Sequence, residues 1–182
     1  MSTQWRSEKQ RRPREVIARY VQILTEEIAD DNPHLEFHFG GSWRRGAPVI
    51  GDLDILVISE SQITPTLLDE GVILPSIVTW QRCGPRIANG DLLLPDGPLH
   101  IDVWQAPPRS RGAMLCFFTG PMELNLIQRQ RAKAMGMAFS QNALTDRETG
   151  RQLDDGTEED IYRILQLPFL EPTERQRWAC KR

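Results

Sequence analysis

The chain has 182 residues, of which 40% are hydrophobic, and a formal net charge of −3. This length allows one domain of ordinary size or two small ones, with enough apolar residues for a core. No apolar run approaches the ~20 residues of a membrane helix, and the N-terminal residues lack the apolar stretch of a secretory signal. We therefore expect no membrane partner and an intracellular location: the cytoplasm, the nucleus or a viral replication site, depending on the host.

Cysteine spacing and charge distribution narrow the function classes further. The three cysteines form no CxxC pair and, with the three histidines, show no zinc-ligand spacing, so we expect reduced thiols without disulfides. Residues 1–19 are basic, residues 20–104 acidic and the remainder slightly basic. An acidic centre between basic ends fits a metal-binding core with DNA-binding edges, and solvated surfaces are an equal alternative.

The first sixty residues predict a helix and two strands behind a mobile basic arm. Apolar residues recur at helical spacing over 16–28, in a helix that should begin near Pro13 and end at residues 32–33. Alternating apolar residues predict a strand at 35–39, and an apolar run predicts another at 52–59.

The next segment predicts a short helix and three further strands. The helix is expected within 60–76, and the strands at 77–82, 91–94 and 99–105. Asn89-Gly90 has the composition of a two-residue hairpin turn and is expected to connect the first two of these strands.

The sequence changes character at Ala106-Pro107-Pro108, beyond which helical periodicity dominates. Three segments show it: 112–118, 122–135 and 158–165. We therefore predict an α/β (α+β) fold with two domains. Residues 1–108 should form a mixed sheet with helices on one side, and residues 109–182 a small, mostly helical domain with a hairpin.

Two carboxylates stand close together at the start of the second predicted strand. Asp52 and Asp54 point to the same face because strand residues two apart do so. Adjacent carboxylates repel unless a cation lies between them, and their commonest use is to bind hard divalent metals that act on phosphates. A solvated Asp-x-Asp is the alternative, which the preceding Gly41-Ser42 turn and the arginines Arg44 and Arg45 disfavour.

A third carboxylate would complete a two-metal site. Asp102 is the best candidate, because it alternates with Ile101 and Val103 in a half-buried strand. An aspartate in such a strand reduces stability unless it is exposed or paired.

The segment 40–57, GGSWRRGAPVIGDLDILV, resembles the active-site signature of nucleotidyltransferases. More narrowly, GSWRRG followed by GDLDILV resembles the X family of DNA polymerases, the group of polymerases beta and lambda. The resemblance extends over about residues 14–175. It implies that residues 1–108 are a palm domain with a basic N-terminal arm, that residues 109–182 are a thumb domain, and that Asp102 lies on the strand of the third catalytic aspartate.

The resemblance also implies a reaction and its cofactor. A primer 3′-hydroxyl attacks the α-phosphate of a nucleoside triphosphate and pyrophosphate leaves, with two Mg²⁺ ions for which Mn²⁺ can substitute. Asp52 and Asp54 would bind both ions. Asp102 would bind the ion that activates the 3′-hydroxyl and would accept its proton.

The other site residues are also assigned by this resemblance. Contacts with the triphosphate are assigned to the Gly-Ser turn and its neighbours: Arg14, Gly41, Ser42, Arg45 and Gly51. Contacts with the sugar and base are assigned to Phe117, Phe118, Gly120 and Asn125. Phe117 replaces the usual Tyr, so we expect only a preference for deoxynucleotides. Arg44 is expected to pair with an acid of the palm.

DNA contacts are assigned to both halves of the chain. Arg129 lies one helical turn from Asn125 and matches the family residue that touches the template strand in the minor groove. His100 is the second residue assigned to DNA: it stands where the family usually has Arg, and a neutral His would weaken the help given to the primer terminus or alter the pH response. The basic arm, including Arg11 and Arg12, is expected to bind DNA phosphates.

The resulting hypothesis is a minimal X-family polymerase, because the lyase and fingers domains that normally precede the palm have no counterpart in these residues. The expected partners are gapped or primer-template DNA, deoxynucleoside triphosphates and a DNA ligase, and the expected state is a monomer. One alternative is a template-independent nucleotidyltransferase, which Asn125 and Arg129 argue against. The other is a non-catalytic DNA-binding derivative, which the three aspartates argue against.

Overall fold

The computed structural model of the chain describes residues 10–31, 33–60, 78–84 and 86–179. Three expectations fall wholly or almost wholly outside these ranges: the arm before residue 10, the helix within 60–76, and the state of Cys180. Neither Cys83 nor Cys116 takes part in a disulfide among the described residues. No helix among the described residues is long and apolar enough to cross a membrane.

A five-stranded mixed sheet organises the first part of the chain. The strands described before residue 107 are β1 (Arg12–Pro13), β2 (Glu36–Phe39), β3 (Val49–Ile50), β4 (Asp52–Ile58), β5 (Val78–Cys83), β6 (Ile87–Leu94) and β7 (Gly97–Ala106). The spatial order in the sheet is β2–β4–β7–β6–β5. β4 and β7 are parallel and the other neighbours antiparallel, so the mixed sheet is confirmed. β1 and β3 form a separate two-stranded ribbon.

Six α-helices complete the described fold. They are α1 (Arg14–Asp31), α2 (Gly41–Arg44), α3 (Arg111–Thr119), α4 (Met122–Ala134), α5 (Glu158–Ile164) and α6 (Arg175–Ala179). The helices predicted near 16–28, 112–118, 122–135 and 158–165 are therefore confirmed. Thr157 caps α5 through its Oγ1, which accepts the backbone N–H of Asp160 at 3.2 Å.

The main core lies between α1 and one face of the sheet. Ile17, Leu24 and Ile28 of α1 are fully buried against alternate residues of β4 and β7, such as Leu53 and Ile101. This packing follows from the two periodicities in the sequence, 3.6 residues for the helix and two for the strands. A second core joins α3, α4 and α5 with the hairpin β8–β9 (Met137–Phe139 and Leu144–Asp146).

A third, smaller cluster covers only part of the other face of the sheet. Leu56 and Ile58 of β4 and Ala106 of β7 pack against Met114 and Leu115 of α3. The helix therefore covers the C-terminal halves of β4 and β7. The N-terminal halves, which carry the aspartates, keep a partly exposed polar face. The boundary at residue 108 stays a prediction, although β7 ends at Ala106 and the 3₁₀ helix Pro108–Ser110 follows.

The predicted hairpin turn at Asn89-Gly90 is wrong, because both residues lie inside β6. β5 ends at Cys83, six residues before Asn89. Gly90 is opposite Trp80, and a Cβ on Gly90 would lie 2.5 Å from the carbonyl oxygen of Thr79. Glycine is therefore needed here for close backbone approach within the sheet rather than for a turn.

The expectation that Arg12 binds DNA phosphates is also wrong. Its side chain is 3% exposed, and its Nε donates to Asp96 Oδ2 at 2.9 Å. Its Nη2 donates to the carbonyl oxygen of Gly97 at 2.8 Å. Pairing of β1 with β3 places Arg12 beside the β6–β7 turn, where its charge and hydrogen bonds stabilise the fold. Its neighbour Arg11 is exposed.

Candidate active site

The three aspartates come together on one face of the sheet. In the parallel register of β4 and β7, Asp54 lies beside Asp102 and Asp52 lies beside His100. Directly paired residues point to the same face, so the carboxylates of Asp52, Asp54 and Asp102 share the uncovered half of that face. All three side chains are partly exposed.

The helix α2 lies against this carboxylate face. The backbone N–H of Gly40 donates to the carbonyl oxygen of Asp54 at 2.8 Å. A Cβ on Gly41, whose φ is +53°, would lie 1.9 Å from Asp54 Oδ2. Only glycine fits this contact and this conformation, which explains Gly41 in the predicted turn. The turn is in fact a four-residue helix, Gly41–Arg44.

Ser42 presents a polar atom that the described residues leave unsatisfied. Its Oγ is buried and has no hydrogen-bond partner among them. A buried hydroxyl without a partner costs about 1–3 kcal/mol, so such atoms usually mark a bound water, ion or ligand. Gly51, the other predicted phosphate contact of this loop, immediately precedes Asp52 and is half-buried.

Arg45 connects this loop to the second part of the chain. Its Nη1 donates to the carbonyl oxygen of Thr119 at 2.5 Å, at the end of α3. Burial lowers the pKa of Arg45, while the negative charges of Asp54 and Asp52 act in the opposite direction. The guanidinium therefore stays charged and lies within electrostatic range of both carboxylates.

Gly120 and Asn125 lie next to Arg45. A Cβ on Gly120 would be 3.7 Å from Arg45 Nη1 and 4.0 Å from Asn125 Nδ2. Asn125 Nδ2 donates to the carbonyl oxygen of Phe117 at 2.8 Å, and Asn125 Oδ1 is buried without a partner among the described residues. Arg45, Gly120 and Asn125, which were assigned from three separate motifs, are therefore neighbours in the structure.

The two phenylalanines have different surroundings. Phe118 packs against Trp104 of β7, with ring centroids 4.9 Å apart, and belongs to the apolar cluster under α3. Phe117 lies 5.3 Å from the guanidinium of Arg129, which is over its ring. Phe118 therefore has an evident packing role, while Phe117 and Arg129 form a cation–π pair beside Asn125.

Arg14, the first residue of α1, packs its side chain against α2 but is not brought to the carboxylates by any described contact. Its guanidinium stacks on Trp43 at 3.7 Å from the ring centroid. Its Nη1 donates to the carbonyl oxygen of Trp43 at 2.7 Å. It lines a cleft of about 480 Å³ with His38, Phe39 and other residues.

Sequence reasoning missed the partner of His100. His100 Nε2 lies 3.5 Å from Asp102 Oδ1, and its Nδ1 lies 3.2 Å from Asp91 Oδ1. The wrong prediction of a turn at Asn89-Gly90 gives no indication that Asp91 lies beside His100. The period-two alternation of buried and polar residues along β6 is the signal that would have placed Asp91 on the active face.

It also missed the partner of Arg44. The prediction that Arg44 pairs with an acid of the palm is wrong. Arg44 instead binds Glu158 at the start of α5, with Nη2–Oε2 at 2.5 Å and Nη1–Oε1 at 3.0 Å. Arg175 Nη1 reaches the same carboxylate at 2.9 Å. These pairs join α2 to the helices of the second part of the chain.

The metal expectation can be tested against the donor atoms present. Over the described ranges, no three His, Cys, Asp or Glu side chains are arranged as a formed metal site. Asp54 and Asp102 nevertheless lie on adjacent strands in direct register. Carboxylate oxygens are the donors that Mg²⁺ prefers, so the donor set fits a hard divalent ion.

Comparisons with known proteins match two families over separate parts of the chain. The family described as DNA polymerase beta palm matches residues 11–78, and the family described as DNA polymerase beta thumb matches residues 114–176. DNA polymerase lambda of Rattus norvegicus is 31% identical over 188 aligned residues, which cover 91% of this chain and 33% of that protein. The chain thus spans about a third of the length of this relative.

Proposed function

Because the chain belongs to the X family of DNA polymerases, in a palm-plus-thumb form, we propose that it is a template-directed DNA polymerase. It adds deoxynucleotides to a primer 3′-hydroxyl in short gaps and so serves DNA repair, where a DNA ligase would seal the product. The observation that carries the proposal is the register that puts Asp54 beside Asp102, with Asp52 on the same face.

Asp52, Asp54 and Asp102 would hold two Mg²⁺ ions. When bound, these ions neutralise the charge that develops on the attacking and leaving oxygens of phosphoryl transfer. The residues of the chain then do the positioning. Asp102 lies next to His100, at the place assigned to the primer end, and its carboxylate orients the 3′-hydroxyl and accepts its proton.

The triphosphate would bind along α2. Ser42 Oγ, which lacks a partner among the described residues, donates to a phosphate oxygen. Arg45 supplies positive charge in a partly buried position, where it is worth more than at an exposed surface. Arg14, which stacks on Trp43 and donates to its carbonyl oxygen, would add positive charge beside α2.

The nucleoside would lie against the end of α3 and the start of α4. The Asn125 amide is fixed by the Phe117 carbonyl, and its remaining oxygen is available to the incoming nucleotide. Arg129, exposed and stacked on Phe117, extends from the same surface toward the template strand. A template-reading residue next to the nucleotide site favours templated synthesis over end addition.

Primer extension on the full chain tests this function. DNA with a one-nucleotide gap is supplied with each nucleotide in turn, opposite each of the four template bases, and compared with single-stranded DNA. We expect incorporation of the complementary nucleotide in the gap, with Mg²⁺ or Mn²⁺. Equal addition of all four nucleotides would favour a template-independent transferase. DNA binding without any addition would favour a non-catalytic derivative.

A further inference from the structure

The carboxylate face of the sheet continues beyond the aspartates into an apolar row of two side chains. On β7, Pro98, His100 and Asp102 lie two residues apart and therefore point to the same face. On β6, Leu93 lies opposite Pro98, just as Asp91 lies opposite His100. The face thus carries successive rows of paired side chains, in which the row of Leu93 and Pro98 follows that of Asp91 and His100.

This apolar row is exposed to solvent. Leu93 is 58% exposed and Pro98 is also exposed, whereas Leu92 and Leu94, which point to the other face, are buried. Single exposed apolar side chains are common on protein surfaces, so exposure alone indicates no function. The position of the row is informative, because it adjoins the candidate active site on the same face.

The turn that carries the row is held in place from outside the five-stranded sheet. Arg12 of β1 donates to Asp96 Oδ2 at 2.9 Å and to the carbonyl oxygen of Gly97 at 2.8 Å. It also donates to the carbonyl oxygen of Pro98 at 3.2 Å. Because a preorganised element loses little conformational freedom on binding, Leu93 and Pro98 are suited to a contact of fixed geometry.

The row lies within reach of a primer strand that ends at the aspartates. Residues of a strand rise about 3.3 Å each, so Pro98 lies about 13 Å along β7 from Asp102. A DNA strand rises about 3.4 Å per nucleotide. A primer that ends at Asp102 and passes His100 would therefore meet Leu93 and Pro98 within about four nucleotides of its 3′-hydroxyl.

An apolar row fits the sugar of a deoxynucleotide better than the sugar of a ribonucleotide. The C2′ atom of deoxyribose carries two hydrogens, so its burial against Leu93 and Pro98 is favourable. The same atom of ribose carries a hydroxyl, which loses its hydrogen bonds to water when it is buried against apolar side chains. The 2′-hydroxyl is the group by which a protein distinguishes RNA from DNA at a given site.

We infer that Leu93 and Pro98 form an apolar contact for the sugars of the primer strand and thereby select a DNA primer over an RNA primer. The inference rests on the proposed function, because it takes Asp102 as the position of the primer end. It concerns the primer alone and is separate from the choice of incoming nucleotide, which was assigned to Phe117 and Phe118.

Equilibrium binding of gapped DNA, in buffer with a metal chelator, tests the inference without catalysis. The primer is either all-deoxy or carries a single ribonucleotide at one of its last four positions, and fluorescence anisotropy gives the dissociation constants. At one or two of these positions, we expect the wild type to bind the deoxy form about two- to tenfold more tightly, the scale of one hydrogen bond. Equal affinities at all four positions would overturn the inference.

Substitutions of Leu93 assign the discrimination to the row. Leu93→Ser should weaken binding of the all-deoxy primer and bring the ratio of affinities to about one, because the serine hydroxyl can pair with the 2′-hydroxyl. Leu93→Met keeps an apolar side chain and should keep the ratio. The control is Ile23→Ser, at an exposed position of α1 on the other side of the sheet, and it should behave as the wild type. A wild-type ratio in Leu93→Ser would contradict the inference.

Three further outcomes separate the inference from the proposed function. If the wild type extends primers in gaps but shows no discrimination against ribose, the inference is wrong and the proposed function stands. If the wild type neither binds gapped DNA nor extends primers, the inference falls with the proposed function. If sedimentation shows a wild-type dimer that Leu93→Ser dissociates, the row is an interface between two copies of the chain and the inference is wrong.

Discussion

The guanidinium of Arg44 binds both carboxylate oxygens of Glu158, a residue 114 positions further along the chain. Arg44 belongs to the same four-residue helix as Ser42, and Glu158 begins the helix α5 of the thumb. Glu158 also pairs with the fully buried Arg175. The candidate nucleotide site and the thumb core therefore share one ion-pair network.

Removing the carboxylate of Glu158 should strongly destabilise the protein. Its side chain is 6% exposed, and Glu158→Gln would leave the guanidiniums of Arg44 and Arg175 without a counter-charge. Loss of one partner from a buried pair costs about 3–5 kcal/mol. Urea unfolding measures the free energy of unfolding. Glu159→Gln, which changes the exposed neighbour, should have little effect, and a similar loss in both variants would contradict the assignment.

The same network should make stability depend on pH. Burial raises the pKa of Glu158, but hydrogen bonds and charges of Arg44 and Arg175 outweigh burial, so the pKa lies below its ordinary value of 4.5. A lowered folded-state pKa contributes stability above the unfolded-state value, and this is lost as pH falls through the folded-state value. Urea unfolding from pH 7 to pH 3 should show stability falling below about pH 4.5. Glu158→Gln should reduce this dependence.

Replacing Asp102 with Ala should abolish nucleotide addition while DNA affinity stays near that of the wild type. The reason is that the proposed work of Asp102 is on the reacting 3′-hydroxyl and its metal, not on the fold. Gel assays of primer extension and fluorescence anisotropy measure the two quantities. Appreciable extension with Mg²⁺ would disprove the assignment. Asp52→Ala and Asp54→Ala should in addition weaken nucleotide binding, because each would remove a ligand from both proposed ions.

Arg45→Ala should weaken the affinity for a nucleoside triphosphate by about 1.5–3 kcal/mol, the scale of a hydrogen bond to a charged group. Ser42→Ala should weaken this affinity less, by about 0.5–1.5 kcal/mol, because it removes a neutral hydrogen-bond donor and no charge. Nucleotide dissociation constants measured by titration check both. Arg147→Ala, at an exposed turn position directly after β9, is the control. Unchanged constants for Arg45→Ala and Ser42→Ala would refute the phosphate site on α2.

Replacing two adjacent arginines should have different effects: Arg12→Ala should reduce stability, and Arg11→Ala should affect only DNA binding. Arg12 loses its bonds to Asp96 and Gly97, so the free energy of unfolding should fall by about 1.5–3 kcal/mol. Arg11 is exposed, so its replacement should leave stability within about 0.5 kcal/mol. If Arg11 contacts a phosphate, the same replacement should also reduce the salt dependence of DNA binding by about one unit of log–log slope. The reverse pattern would contradict the burial of Arg12.

Arg129→Ala should reduce discrimination between correct and incorrect nucleotides more than it reduces nucleotide affinity. The proposed contact of Arg129 is with the template strand. Removing the Arg129 side chain should therefore weaken only the interaction that depends on correct base pairing. Single-turnover kinetics with matched and mismatched nucleotides give the ratio. Lys133→Ala, one helical turn further along α4, is the matched control. A proportional loss for all nucleotides would exclude the template role.

Local patterns in the sequence account for most elements and for the shared face of the carboxylates. The periodicity from Val16 to Ile28 corresponds to α1, and the alternation around Asp102 corresponds to β7. The spacing of Asp52 and Asp54 alone places both side chains on one face of a strand. Such features depend on neighbours a few residues away, so they can be predicted without knowledge of the fold.

The tertiary structure alone decided the partners of the charged and polar side chains. Arg12 binds a turn more than eighty residues away, Arg44 pairs with Glu158 rather than with a palm acid, and Asp91 faces His100 because β6 continues through Asn89-Gly90. An arginine or aspartate has the same local signal whether it binds a ligand, a distant side chain or water. Which of these occurs depends on the strands and helices that become neighbours, and burial then makes an unpaired charge too costly to keep.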